Sequence, residues 1–398
     1  MSELDRLIHA LCPNGVEHLS IGSLISRERS RGKEYPDVKQ VYVVSNTQGI
    51  VRAEEYRENT IHSEDTSNYT VLRQNMVAYN PSRLNIGSIA RLKDGEAGLV
   101  SPMYVVFSID SNKILYEYFD YLITSSYVSS KIDAFKEEGA RFRFDFSRWD
   151  WIMIPLPPLE IQREIVRILD NFTKLIAELT AELTARKKQY EFYKQKLLSF
   201  DGDTQYGLLQ DVADIYDSLH QTPKYCPEGF SMIRVQDVKS GYIDTSKALK
   251  VDKETYQVFI KKYKPQKNDI VVSRVGSYGN FAIIPDDNCC LGQNTAVIHA
   301  TINPKFLYYV LTSDVIKTWI DSNVKGASQK SFSLADIKRI PIPVVELTKQ
   351  GQIVDILDRF DTLCNDISAG LPAEIEARQK QYEYYRDKLL TFKELIAN

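Results

Sequence analysis

Nowhere in the 398 residues do eighteen apolar residues follow one another, so no transmembrane helix is expected. Residues 1–10 mix Glu3, Asp5 and Arg6 with their apolar positions and lack the apolar stretch of a signal peptide. The five cysteines, Cys12, Cys226, Cys289, Cys290 and Cys364, form no CxxC pair. Neither a disulfide framework nor a zinc site is suggested, and a reduced, cytoplasmic setting is expected. His9, His18, His62, His220 and His299 are scattered, without metal-ligand spacing or a neighbouring nucleophile signature, so no catalytic constellation emerges. A glycine-rich strand–turn–helix fingerprint for a nucleotide-like cofactor is missing too, and no cofactor is expected. A basic excess is also lacking: 50 Lys and Arg face 53 Asp and Glu, for a net charge of −3. A DNA-coating protein is normally basic, so any contact with nucleic acid must rest on local patches or on a partner. Composition is otherwise ordinary for a globular chain, and the length suits two or three domains.

What is present is a duplication. KKQYEFYKQKLLSF at 187–200 returns as QKQYEYYRDKLLTF at 379–392, an offset of 192. Upstream, IVRILDNF at 165–172 returns as IVDILDRF at 353–360, an offset of 188. The second copy thus carries four extra residues between the blocks. Further upstream IPLPPLEIQ at 154–162 answers IPIPVVELTKQ at 340–350, and Phe146, Ser147 and Asp150 align with Phe332, Ser333 and Asp336. A period of half the chain is a two-fold repeat, not a solenoid.

The repeated blocks have the period of packed helices. Ile165, Ile168, Phe172, Leu175, Leu179, Leu183, Arg186, Tyr190, Tyr193, Leu197 and Phe200 step by three and four residues, a coiled-coil seam with one stutter near Leu179. Ile353, Ile356, Phe360, Leu363, Ile367, Leu371, Ile375, Arg378, Tyr382, Tyr385, Leu389 and Phe392 repeat the rhythm, interrupted by Gly370-Leu371-Pro372, where a kink or break is expected. A helix over 159–200 would be roughly 60 Å long, a rod and not the core of a compact domain. Tyr190, Tyr193, Tyr382 and Tyr385 are read as seam residues.

Two segments of mixed character, 1–153 and 201–339, flank the first rod (154–200) and precede the second (340–398). Strand-like runs fall at 41–44, 77–79, 103–109, 270–273, 281–284 and 295–299, with helix-like stretches at 115–135 and 304–320. The expected fold class is α+β: two globular heads separated by two long helices that pack as an antiparallel coiled coil with pseudo-two-fold character. The heads echo each other weakly, best in NPSRLNIGSIA (80–90) against SRVGSYGNFAI (273–283). Asn80-Pro81-Ser82-Arg83 and Val275-Gly276-Ser277-Tyr278-Gly279 are read as turns, since one lacks the second proline and aromatic of an amino-methyltransferase motif and the other the ending of a P-loop.

Two unlike heads on two like rods suit a reader of two unlike half-sites, because DNA presents half-sites about one turn apart on one face. The order head, PLPPLxxQ with long helix, head, PxPxxxxxxQ with long helix resembles the specificity subunit of type I restriction-modification systems, over essentially the whole chain. CPNGVEHLSIG (12–22) and LLQDVADIYDS (208–218) open the two heads; the first opening is one often met in that family. The resemblance implies a non-catalytic subunit with two target-recognition domains for a bipartite double-stranded DNA site. It also implies two adenine-methylating subunits docked on the helices, restriction-translocase subunits as further partners, and no membrane.

DNA contacts call for basic and amide side chains on loops. In the first head the candidates are Arg27, Arg29, Arg31, Lys33, Arg83, Arg91, Lys93, Arg141 and Arg143. In the second they are Lys261, Lys262, Lys264, Arg274, Lys325, Gln329 and Lys330, with Lys267 beside the lysine cluster. A coiled-coil adaptor tethering two protein-binding heads is the alternative that near-neutral charge allows. An independent enzyme is disfavoured by the missing cofactor fingerprint.

Overall fold

A computed structural model describes residues 2–56, 65–135, 142–200, 202, 204–239, 241–324, 331–366 and 368–395. The chain divides into two compact units, Met1–Thr180 with Glu374–Asn398, and Ala181–Ala373. Each holds one head with pieces of both rods.

The heads are α+β, as expected, and they share the strand order of one four-stranded sheet, which their sequences barely betray. In the first, one antiparallel sheet runs in the order Ile25–Arg27, Val105–Ile109, Val77–Tyr79, Ile89–Arg91. A second sheet runs Gly49–Arg52, Val41–Ser45, Gly98–Val100, Thr70–Leu72, its middle pair parallel. In the second head the first sheet runs Ala213–Asp217, Thr295–Ala300, Ile270–Ser273, Phe281–Ile283. The other runs Leu249–Val251, Phe230–Ile233, Cys289–Leu291, again with one parallel pair. Asn75 and Asn268, two residues ahead of equivalent strands, both take positive φ (67° and 71°), a conformation asparagine tolerates better than most residues. Their backbone N–H groups donate to equivalent carbonyls, Leu92 and Ile284.

Each helix-like stretch is a pair of helices: Tyr116–Ile123 with Ser126–Ala134, and Pro304–Leu311 with Asp314–Asn323. Ser125 and Ser313 force the breaks, because each hydroxyl accepts from the backbone N–H three residues on and so starts a new helix. The sheets and helices close over aromatic cores, built from Tyr79, Phe107, Phe119, Phe144 and Trp149 in the first unit and from Phe306 and Phe332 in the second.

The first rod is one helix, Leu159–Leu198, and the second is two, Leu347–Asn365 and Leu371–Leu389. The break falls at the expected Gly-Leu-Pro. A Cβ on Gly370 would lie 2.4–2.8 Å from the carbonyl oxygens of Thr362, Leu363 and Asp366, so only glycine fits. The four extra residues are spent in this break. Within the first unit Phe172 stacks on Tyr385, and within the second Tyr190 and Tyr193 stack on Phe360. Those three tyrosines lie on the rod seam as expected, and Tyr382 sits edge-on to Tyr121 of the head. The seam is thinner than the periodicity implies. Ile356 and Leu363 are exposed, whereas Ile353, Val354, Leu357 and Cys364 are buried; Ile367 lies outside the described residues.

The repeat register needs one correction. Strand pairing sets Pro155 opposite His18 and Pro343 opposite Tyr206, so Pro155 matches Pro343 at an offset of 188 and Ile154 matches Ile342, not Ile340. Likewise the backbone N–H of Phe144 donates to Pro81 and that of Phe332 to Arg274, so Phe332 matches Phe144, not Phe146. The copies therefore align without a gap from 144 to 172. Alternating Ile and Pro had made a two-residue slip invisible.

Candidate nucleic-acid interface

In each head three segments meet at the turn that follows one central strand. In the first, the strand Val77–Tyr79 runs into Asn80, whose Oδ1 accepts from the backbone N–H of Ser82 at 2.9 Å. This is a side-chain-closed turn, in agreement with the turn reading. The backbone N–H of Phe144 donates to Pro81 at 3.0 Å, and the Tyr79 hydroxyl donates to the Phe144 carbonyl at 3.3 Å. Segment 142–146 is thereby tied to the turn. Burial pushes the Tyr79 phenol well above its usual range, while the charges of Arg27 and Arg143 pull against that shift. Both cations thus act on the same end of the sheet as Arg83.

Arg27 is exposed, with its guanidinium 5.9 Å from the Phe146 ring centroid. Arg143 is exposed and 3.2 Å from Asp145. Arg29, Lys33 and Arg83 are exposed and make no ion pair among the described residues. Arg31 is less free: its Nη1 donates to Thr70 Oγ1 at 2.9 Å and to the Asn68 carbonyl at 3.2 Å. Lys93 is exposed but stands 3.5 Å from Asp120.

Arg91 is a correction. Its side chain is only 4% exposed and is held by Asp120 at 2.8 Å, Glu117 at 3.0 Å and Asn75 at 2.7 Å. Burial opposes its charge, but hydrogen bonds and proximity to Asp120 and Glu117 outweigh that and hold it above the ordinary arginine range. A guanidinium so engaged is not available to a phosphate. Arg91→Ala is expected to cost about 3 kcal/mol of stability, because it leaves partly buried carboxylates without their cation. DNA affinity per folded molecule should keep its salt dependence; a flatter dependence in binding titrations would return Arg91 to the interface.

In the second head the turn after Ile270–Ser273 carries Gly276 and Gly279 with φ of 79° and 73°, which fits the turn reading. Arg274 is corrected for the same reason as Arg91. It pairs with Asp217, and its Nε donates to the Phe332 carbonyl at 3.2 Å, so it ties the three segments of its own head together. Lys261, Lys262 and Lys264 are exposed, and Lys262 lines a small cleft with Asp217 and Ser218 beside that junction. Lys267 is exposed and farther along the same loop. Arg141, Lys325, Gln329 and Lys330 lie outside the described residues.

The sequence reading missed what anchors the heads to the rods. Gln162 is fully buried; its Oε1 accepts from the Leu115 N–H at 2.9 Å, and its Nε2 donates to Lys113 at 3.0 Å and Pro157 at 2.8 Å. Gln350 repeats this, accepting from the Asn303 N–H at 3.1 Å and donating to Val345 at 2.7 Å. Eight residues later on each rod, about two turns, an aspartate accepts from a head tyrosine, Tyr121 to Asp170 and Tyr309 to Asp358, both at 2.6 Å. The signal in the sequence was the glutamine that closes both proline-rich motifs.

Among the described residues no group of three His, Cys, Asp or Glu is placed to hold a metal ion, and no helix is long and apolar enough to cross a membrane.

The family model described as "Type I restriction modification DNA specificity domain" matches twice, over residues 29–186 and 204–377. The type I restriction enzyme EcoR124I/EcoR124II specificity subunit of Escherichia coli is 34% identical over 311 residues, 73% of this chain and 74% of the relative. A putative type I restriction enzyme specificity subunit of Haemophilus influenzae is 31% identical over 303 residues, 71% and 72% of the two chains. Among solved structures, the HsdS subunit from Thermoanaerobacter tengcongensis matches with a TM-score of 0.52 at 16% identity, covering 96% of this chain and 97% of that one. A chain from a study of type I R-M complex assembly matches at 0.59 and 16%, covering 96% and 98%.

Proposed function

Because the chain belongs to the type I restriction-modification DNA specificity family, we propose that its two heads each read one half of a bipartite, asymmetric double-stranded DNA site. As a member of that family it is a non-catalytic specificity subunit. In this reading the heads span 1–153 and 201–339, and the rods set the spacing and dock two methyltransferase subunits. Restriction-translocase subunits join them, and adenine-N6 methylation and cleavage belong to those partners, in the cytoplasm.

The observation that carries the reading is the pairing of one strand topology with two different loop chemistries. Both heads build the same three-segment junction. The first carries exposed arginines beside it, and in the second Lys262 lines a cleft beside it. A shared scaffold with unlike loops is what two unlike half-sites require. Arg27, Arg29, Arg83 and Arg143, and Lys261, Lys262 and Lys264, are proposed to face DNA. Arg141, Lys325, Gln329 and Lys330 stay candidates from sequence. The comparisons do not favour the adaptor alternative.

The test is a methylation map. The chain is expressed with the methyltransferase subunit encoded beside it, in a host without DNA methylation, and modified adenines are read by sequencing. A split motif that disappears when this chain is omitted is expected, and exchange of 1–153 for another head should change one half of it. A stable complex with no new modification, or a motif whose halves change together, would sink the reading.

A further inference from the structure

The loop that carries the lysines of the second head is anchored by groups that the shared sheet does not require. Lys261, Lys262, Lys264 and Lys267 are all exposed and crowd one short loop, and like charges so close repel one another. Asp269 holds that loop. Its side chain is only 3% exposed. Oδ2 accepts from the Tyr263 hydroxyl at 2.7 Å and from the backbone N–H of Gln266 at 2.8 Å, and Oδ1 accepts from His299 Nδ1 at 2.7 Å. The Asp269 N–H returns a bond to the Gln266 carbonyl at 3.1 Å. His299 Nδ1 also stands 2.9 Å from the Tyr263 oxygen. A carboxylate only accepts, and the tyrosine proton goes to it, so the Nδ1 proton serves both oxygens and the triangle closes. The Tyr263 ring lies flat on Tyr216 of the edge strand Ala213–Asp217, with centroids 4.1 Å apart and planes at 9°. Burial, and then the bond to Asp269, pushes its phenol above the ordinary range, so the hydroxyl keeps the proton it donates. Between Lys262 and Lys264, therefore, one side chain is fixed at both its ring and its tip.

The first head does without this clamp. Ile270 pairs with Ile298 as Val77 pairs with Phe107. The first head thus has Met76 where the second has Asp269, and Ser108 where the second has His299. A buried charge is costly unless its bonds are met, and here two of the three donors come from the loop, not from the sheet common to both heads. We infer that Asp269, acting through Tyr263 and His299, is a positioning residue for the second half-site. It holds the loop in the shape in which Lys261, Lys262 and Lys264 meet DNA, so that little order remains to be imposed on binding. The inference rests on the functional reading that these lysines face DNA; the clamp itself does not.

A double-variant cycle on the assembled methyltransferase, bound to a labelled duplex of the mapped site, tests it. Asp269→Ala is expected to weaken binding about tenfold, and Tyr263→Phe, which keeps the ring on Tyr216 and removes one donor, about threefold. In a chain that already has Lys261→Ala, Lys262→Ala and Lys264→Ala, neither should weaken it further. A role in stability alone would change affinity per folded molecule in neither background, or in both alike. If Asp269→Ala lowers the unfolding midpoint so far that the complex does not assemble, Tyr263→Phe carries the cycle alone. No loss from either variant in the wild-type chain, or the same loss with and without the lysines, would overturn the inference. An affinity unmoved by the triple lysine substitution would instead overturn the functional reading of this loop.

Discussion

Gln162→Leu is expected to lower the stability of the first unit by about 2–4 kcal/mol, because it strands one buried and two part-buried backbone groups at roughly 1–3 kcal/mol each when dry, less whatever water recovers. The side chains are close in volume, so little of the loss is a cavity. The stranded groups are the Leu115 N–H and the Lys113 and Pro157 carbonyls, which lie where the helix pair of the head meets the start of the rod. Gln350→Leu strands two groups and should cost less. Hydrogen exchange on the full chain separates the two: Gln162→Leu should expose amides at 113–123 and 157–165 first, and Gln350→Leu those around 303–311. A loss below about 1 kcal/mol would mean that water replaces the amide at little cost, and the latch would not be what holds head to rod.

Replacing Arg29, Arg83 and Arg143 together by alanine is expected to weaken specific DNA binding by the assembled methyltransferase roughly a hundredfold at physiological salt. Each phosphate contact contributes about 0.9 to the slope of log affinity against log salt, so three lost contacts flatten that slope by about 2.7. All three are exposed, and Arg143 gives up only a surface pair with Asp145, so stability should hardly change. Salt titrations of a labelled duplex give both numbers. A weaker affinity with an unchanged slope would assign these residues to base edges. An unchanged affinity would remove this end of the sheet from the interface.

The rods were legible because their code is local. A three-four step of apolar residues makes a helix stripe wherever it sits, and near-verbatim repetition at 187–200 and 379–392 shows that the stripe is used twice. Gly370-Leu371-Pro372 likewise announced its break, since proline and crowded glycine act on their own turn. Six strand runs were legible by apolar β-formers. Missed were three-residue strands such as Ile89–Arg91 and Gly98–Val100, too short to show a period and specified by partners far along the chain.

The candidate site was legible only as residue type. Arg83 and Arg91 look alike in sequence, both cations flanking one turn; what separates them is Asp120, 29 residues beyond Arg91. Arg274 is held by Asp217, 57 residues before it. By itself the sequence determined the duplication, the rods and the family resemblance, because these depend on neighbours three, four or a fixed period away. Only the tertiary structure decided which cations remain free, that both heads build one four-stranded sheet in the same order, and that buried Gln162 and Gln350 bind head to rod. Each of those depends on which distant groups burial brings within hydrogen-bonding distance, and no local pattern records that.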